Sequence, residues 1–257
     1  MKKKTINNEY SINTFFFMTS KTRLYFSDKI QSDLVSHLTK EQSHYVKDVM
    51  RLEKGDFLSV FNAQGEWSAI IENYEKEGAR IKILKKARDK DNEKNIWLAF
   101  SPIKQNPLNF IIQKGTELGV QKFIPVLSER TIVREINITR IKKIIVEASE
   151  QSNRISVPEI NNLETLKNFL SKFPKDGCLV FCDINCEKNS LKNILAEKIE
   201  GPICVLIGPE GDFSETERKL IVDLKQTHSI SLAKNILRAE TAALSAITII
   251  NYHLNLS

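Results

Sequence analysis

The stretch Leu206-Ile-Gly-Pro-Glu-Gly-Asp-Phe-Ser-Glu-Thr-Glu217 carries a short apolar run into a tight turn and then into a helix start. Ile203–Ile207 is apolar and rich in β-branched side chains but too short for a helix, which predicts a buried strand. Gly208-Pro-Glu-Gly211 turns the chain, and Ser214 with Glu217 is the sequence signature of a capping box. Two glycines in so tight a loop let the backbone approach a ligand closely and direct its amides inward, although a plain strand-to-helix turn accounts for the same residues. Strand, turn and capped helix in succession is the unit from which a parallel α/β sheet is assembled.

Working outward, the same alternation covers the chain beyond Asn95. Ile96–Phe100, Phe123–Leu127, Leu179–Cys182 and Ser229–Leu232 read as further strands, with helices near 138–151, 163–172, 215–226 and 239–253. One more helix is outlined in full by Asn106 as N-cap, Pro107 in the first turn, apolar Leu108, Ile111, Ile112 and Leu118, and Gly119 at its end. Short apolar strands alternating with helices predict a mostly parallel sheet with helices on both faces. In such sheets ligands sit beyond the carboxyl ends of the strands. A second loop stands out there, Ser231-Leu-Ala-Lys-Asn-Ile-Leu-Arg-Ala-Glu-Thr-Ala-Ala-Leu244, in which Arg238, Glu240 and Thr241 open a helix otherwise made of small apolar residues. Glu and Thr are also ordinary first-turn residues, so this loop too has a reading without a ligand.

Before Asn95 the pattern is that of a small β domain. Thr39-Lys-Glu-Gln42 is a capping box ahead of a short helix, and Phe57–Phe61, Trp67–Ile71 and Arg80–Leu84 are hairpin strands separated by turns at 62–65 and 75–78. The mostly charged tract Lys85–Lys94 reads as the linker between the two domains. Regular patterning begins near Arg23, which points to a translation start at Met18 and to residues 1–18 as a disordered extension. The expected organisation is thus an extension at 1–18, a β-barrel at 19–90 and an α/β domain at 91–257.

Composition narrows the function. Hydrophobic residues make up 41% of the 257, enough for packed domains. The formal charge is +6, but residues 1–18 hold three basic residues against one acidic, 19–94 hold 15 against 13, and the remainder 20 against 18. No basic tail exists, so charge alone supports a nucleic-acid partner only weakly. The apolar run Phe15–Met18 is far short of the roughly 20 residues that span a membrane, so neither anchor nor signal is expected. Cys178, Cys182, Cys186 and Cys204 form no CxxC pair and lie far from all four histidines, so they read as reduced thiols of a cytoplasmic protein, and no metal is expected. The phosphate-binding G-x-G-x-x-G and P-loop motifs, the G-x-S-x-G elbow and H-E-x-x-H are all missing, which leaves no nucleophile constellation for a hydrolase.

The motifs together resemble one family. Ile207-Gly-Pro-Glu-Gly211 followed by Ile236-Leu-Arg-Ala-Glu-Thr-Ala242 is similar to the two signature loops of the RsmE family, SPOUT-class enzymes that make N3-methyluridine in small-subunit (16S) ribosomal RNA. Ile112–Val120, Ser128-Glu-Arg130, Glu147–Arg154 and Val157-Pro158 agree with that family in order, and Leu52-x-x-Gly55-Asp56 with the hairpins resembles its PUA-like barrel, so the likeness covers about residues 20–253. It departs at Asp212, Ala233, Asn235 and Ala239, where the family usually has Gly, Gly, Arg and Thr. Those changes bear on affinity and fine positioning more than on reaction type.

The resemblance implies a trefoil-knotted SPOUT domain, a homodimer, S-adenosyl-L-methionine as cofactor and 16S rRNA in the small ribosomal subunit as partner. It implies cofactor contacts from Leu206, Gly208, Pro209, Glu210, Gly211, Ser231, Leu232, Asn235, Ile236 and Leu237, and RNA contacts from Arg23, Arg51 and Lys54. Uridine N3 carries a proton, so a base or a cation that stabilises the uracil anion is required. Arg154, Glu150, Arg238 and Glu240 are the candidates, each of which also reads as an ordinary ion-pair member. Two alternatives are a 2′-O-ribose methyltransferase of the same fold, which typically carries Ser-Leu-Asn-Val-Ser near the knot, and a non-catalytic RNA-binding or ribosome assembly factor that has lost cofactor affinity.

Overall fold

The computed structural model describes residues 22–90, 93–186, 191, 194 and 199–256. The expected extension at 1–18 lies outside the described residues. Two compact units divide the chain between Asp91 and Asn92.

In the N-terminal unit β1 (Arg23–Tyr25), β2 (Val35–His37), β3 (Phe57–Asn62), β4 (Gly65–Tyr74) and β5 (Ala79–Asp89) form one sheet in the order β1-β3-β4-β5-β2. β3, β4 and β5 are consecutive antiparallel hairpins, and β1 joins parallel to β3. The alternation of β4 puts Trp67, Ala69 and Ile71 into a core with Leu58, Val60, Ile81 and Ile83. Val46 joins this core from a π-helical turn, Tyr45–Val49, that follows helix α1 (Lys40–His44) and its Thr39/Gln42 capping box. The charged tract that reads as a linker differs from expectation. Its first half is strand, because β4 is long enough to pair with β5 as far as Gly65 opposite Asp89, and exposed charge does not interrupt a ladder whose backbone partner is present.

In the C-terminal unit β6 (Ile96–Phe100), β7 (Lys122–Leu127), β8 (Glu159–Ile160), β10 (Cys178–Cys182), β11 (Ile203–Ile207) and β12 (Thr227–Ile230) pair in parallel in the order β12-β10-β11-β6-β7-β8, with β9 (Glu164–Thr165) also on β7. Successive residues of each strand serve opposite faces. Leu98, Phe100, Val180, Val205 and Ile207 pack with helices α2 (Gln105–Glu117), α3 (Ile138–Gln151) and α6 (Ala239–Leu256). Ala99, Leu179, Phe181, Cys204 and Leu206 pack with α4 (Leu166–Lys172) and α5 (Glu215–Val222). Burial on both faces is what makes these strands continuously apolar. Helix α2 starts earlier than expected, with Lys104 as N-cap and no side-chain cap. Pro107 is tolerated in its first turn because the N–H it lacks would have no helical partner there.

Arg154, expected at the active site, is instead built into this unit. Its side chain is 7% exposed, and Nη1 donates to the carbonyls of Thr116 (2.6 Å) and Val120 (2.8 Å), at the end of α2 and the turn after it. Nη2 donates to Ser156 Oγ (2.8 Å) and to the Glu93 carboxylate. A planar fork with this many fixed donors serves two carbonyls and a carboxylate at once, adding to the bond that the Thr116 carbonyl takes from the Gly119 amide. Its removal takes the charge partner from Glu93, which is 21% exposed and keeps its bond from Ser156, and one donor from each of two carbonyls, so Arg154→Ala is expected to cost about 1.5–3 kcal/mol of stability, with Arg154→Lys intermediate. Urea denaturation of the two variants checks this; midpoints equal to wild type would show that the fork carries no stability.

Candidate functional site

The carboxyl ends of β6, β7, β10, β11 and β12 deliver the loops at which the sequence reading placed its chemistry. The loop after β11 is held by a stitch to the loop after β7. The Ser214/Glu217 capping box forms as expected, and Glu217 is 6% exposed. Its carboxylate accepts from the amide of Ser214 (3.1 Å) and also from that of Glu129 across the sheet (2.8 Å). Arg130 Nη1 returns a bond to the Gly211 carbonyl (3.0 Å). Beneath them Ser101, Ser128 and Thr131 form a buried hydroxyl cluster, with Ser128 Oγ at 2.7 Å from Thr131 Oγ1 and 3.2 Å from Ser101 Oγ. A Cβ at Gly208 would lie 3.0 Å from the Phe213 ring, which would have to give by a few tenths of an ångström to admit it.

Asp212 occupies a left-handed backbone conformation, φ +60°. Glycine adopts that region without cost, and Asp is among the few other residues found there. Here the Asp212 carboxylate accepts from the amide of Phe213 (2.8 Å) and from Asn185 Nδ2 (3.3 Å). Asp212 thus holds the left-handed turn with its own side chain closing it.

A cleft opens between the loops after β10 and β12. Cys182, Asp183, Ile184, Ile230, Ser231, Leu232, Ala233, Asn235, Leu237 and Ala242 line it. Its enclosed space is about 50 Å³, well below the roughly 300–1,000 Å³ typical of ligand clefts, so the cleft is shallow. Asp183 is 2% exposed and fixes the wall. Its Oδ2 accepts from Arg218 Nε (3.0 Å) and Nη2 (2.7 Å), its Oδ1 accepts from the Asn185 amide, and its own amide donates to the Ile230 carbonyl. The hydrogen bond from Arg218 to Asp183 raises the arginine above its ordinary pKa. Loss of hydration pushes the Cys182 thiol up to about 12, so at neutral pH it is an uncharged wall rather than a nucleophile. Among the described residues no cluster of His, Cys, Asp and Glu could hold a metal ion.

The expected residues distribute unevenly over this geometry. Ser231, Leu232, Asn235 and Leu237 line the cleft, whereas Ile236 is 83% exposed beside it. Strand β12 ends at Ile230 because its partner β10 ends at Cys182, which leaves Ser231 and Leu232 to the loop. The Leu206 side chain is core, so only its backbone faces the loops. Gly208 and Gly211 belong to the neighbouring turn with buried Pro209 and exposed Glu210. Exposed Arg238 precedes α6, its carbonyl accepting from the Ala242 amide (2.9 Å), and half-buried Glu240 lies in the first turn. Half-buried Glu150 lies near the end of α3. Sequence reading missed Cys182, Asp183 and Ile184, although Phe181-Cys-Asp183 at the end of a central strand was a usable signal.

In the N-terminal unit Arg51 and Lys54 line an exposed cleft with Lys47 and Tyr74. Arg23 does not join them. Its side chain is 9% exposed, forms a two-pronged pair with buried Glu66 (both contacts 3.2 Å) and lies 4.4 Å over the Phe61 ring. A carboxylate on an inner strand demands such a partner.

The cleft lies at the carboxyl edge of a parallel sheet, in a chain that also folds a separate small β unit. Residues 90–251 match the model of the RNA methyltransferase domain and residues 38–84 that of the RNA methyltransferase PUA domain. The ribosomal RNA small subunit methyltransferase E of Rickettsia conorii is 34% identical over 228 residues, 88% of this chain and 93% of that protein. A crystal structure of that enzyme from Neisseria gonorrhoeae bound to S-adenosyl methionine superposes with a TM-score of 0.82 at 30% identity, covering 90% of this chain and 97% of the other. A putative methyltransferase of Legionella pneumophila in complex with the same cofactor gives 0.80 at 26% identity, covering 90% and 97%. The fold is of the SPOUT methyltransferase class. The chain belongs to the ribosomal RNA small subunit methyltransferase E (RsmE) family.

The backbone at Asp212 offers a direct check on the site. Asp212→Gly is expected to keep both stability and cofactor affinity. Asp212→Val, with a branched side chain forced to positive φ, should lose about 1–2 kcal/mol and weaken cofactor binding. Thermal unfolding with titration calorimetry reads both, and a Val variant equal to wild type would show that the left-handed turn is dispensable.

Proposed function

We propose that this protein transfers the methyl group of S-adenosyl-L-methionine to N3 of a uridine in small-subunit (16S) ribosomal RNA. The observation that carries the reading is family membership along nearly the whole chain, with the family's two signature loops at one edge of the sheet. The residues present fit the cofactor. Ile230, Leu232, Leu237, Ala242 and the protonated Cys182 offer an apolar wall for a flat ring, and the irregular backbone of 231–237 offers polar groups at its rim. When bound, the cofactor supplies an electrophilic methyl on a sulfonium. Leu206, Gly208, Pro209, Glu210 and Gly211 contribute the second loop of that site, chiefly through backbone.

The protein's own part is to deprotonate and orient the uracil. Arg238, exposed at the start of α6, is the group assigned to the developing negative charge, and Glu240 or Glu150 is assigned the proton from N3. Arg154 is not given this role, because its guanidinium is buried against the end of α2. In-line placement of nitrogen and methyl contributes on the order of 7–11 kcal/mol by itself. The same reading carries a knotted C-terminal half, a homodimer, a cytoplasmic location and an N-terminal unit that holds RNA through shape and phosphates more than through base edges.

Labelled cofactor and small ribosomal subunits lacking the modification test the reaction, with the product nucleoside identified. The expected product is 3-methyluridine; a 2′-O-methylated nucleoside would transfer the enzyme to the ribose-modifying branch, and no transfer would favour an assembly factor. Arg238→Lys is expected to lower the single-turnover rate at saturating subunits by about 100- to 1,000-fold with unchanged cofactor affinity. A wild-type rate would remove Arg238 from the chemistry.

A further inference from the structure

The most strongly basic element of the described chain is β5, and nothing in the cofactor site uses it. Between Ala79 and Asp89 it carries Arg80, Lys82, Lys85, Lys86 and Arg88 against the single acid Asp89. β2 pairs with β5 only at Arg80–Lys82, so the strand projects past its outer neighbour. Over that projecting part the register with β4 slips twice. Ala69 is opposite Ile83, Trp67 opposite Lys86, and Glu66 opposite Arg88, which places one extra β5 residue in each interval. Bulges of this kind twist an edge and re-aim its side chains. The outcome is visible in burial, since Lys85, Lys86 and Ala87 are exposed in succession where a regular strand would turn every second residue inward. Lys90 continues the exposed row.

Two carboxylates among the described residues meet this row. Glu66 is 7% exposed and already pairs with Arg23, with Arg88 at 3.5 Å. Lys86 contacts Asp89 at 2.7 Å, but that carboxylate is 88% exposed. An ion pair so open to water contributes at most about 1 kcal/mol and exchanges readily for another anion. Lysines on an edge also discourage sheet-to-sheet aggregation, a role that needs charge but no particular partner.

We propose that the bulged end of β5, through Lys85, Lys86 and Lys90, is where the N-terminal unit holds the sugar-phosphate backbone of its RNA. The inference rests on the ribosomal RNA reading above and assigns to that reading a surface that Arg23 does not provide. A row of exposed cations on a rigid ladder suits regularly spaced phosphates, which confer affinity and orientation without sequence reading.

The test uses the full chain and small ribosomal subunits lacking the modification, with the dissociation constant followed across a KCl series. Lys85→Gln/Lys86→Gln is expected to reduce the slope of log Kd against log salt by about 2, one for each phosphate no longer neutralised, with cofactor affinity and thermal midpoint unchanged. Lys85→Arg/Lys86→Arg should restore it. Lys219→Gln/Lys225→Gln, which removes the same charge from the other unit, should leave the slope near wild type; an equal fall there would reduce the effect to net charge and overturn the proposal. Arg51→Gln/Lys54→Gln separates the two readings. If only that pair lowers the slope, the unit binds RNA through its other cleft and β5 is excluded; if neither pair does, RNA binding by the N-terminal unit fails with it.

Discussion

The carboxylate of Glu217 is the interaction on which the edge of the sheet depends. A ligand site at the ends of parallel strands needs irregular backbone, and irregular backbone leaves amides that the ladder does not satisfy. Glu217 takes two of them, one in its own capping box and one at Glu129 in the loop after β7. Because it is nearly buried, each bond to the charged acceptor is stronger than the same bond in water. The loop after β11 is thereby fixed from both sides, with Arg130 closing the stitch on Gly211.

Asp183 does the same for the opposite wall. It receives Arg218 from α5, the helix whose capping box holds Glu217, so two neighbouring residues of one helix tie the loops after β7 and β10. Burial of a charge without partners costs several kcal/mol, which restricts these positions to a conformation in which all their partners are met. The cleft between the loops after β10 and β12 can then be lined largely by small and apolar groups.

The fold was legible in the sequence because burial on both faces writes itself as continuous apolar runs, and because caps such as Ser214 with Glu217 mark helix starts. Other features were hidden by the same physics. Lys85–Asp89 looked like a linker since its charge is solvent-facing on a strand held by its backbone. Arg154 and Arg23 looked like substrate cations since a sequence shows the charge of an arginine but not the carbonyls or carboxylate that absorb it. The positive φ of Asp212 is likewise invisible in its letter, because Asp is common in ordinary turns as well. Cys182–Ile184 went unread because their place in the cleft comes from the parallel neighbour β12, distant in sequence.

On the function proposed above, S-adenosyl-L-methionine is held at the carboxyl edge by the loops after β10, β11 and β12. Backbone hydrogen exchange with and without saturating cofactor tests it most directly. Slowed exchange in 183–186, 208–212 and 231–238, with the N-terminal unit unchanged, is the predicted result. Cofactor that binds by calorimetry yet leaves all three loops exchanging as before would contradict it.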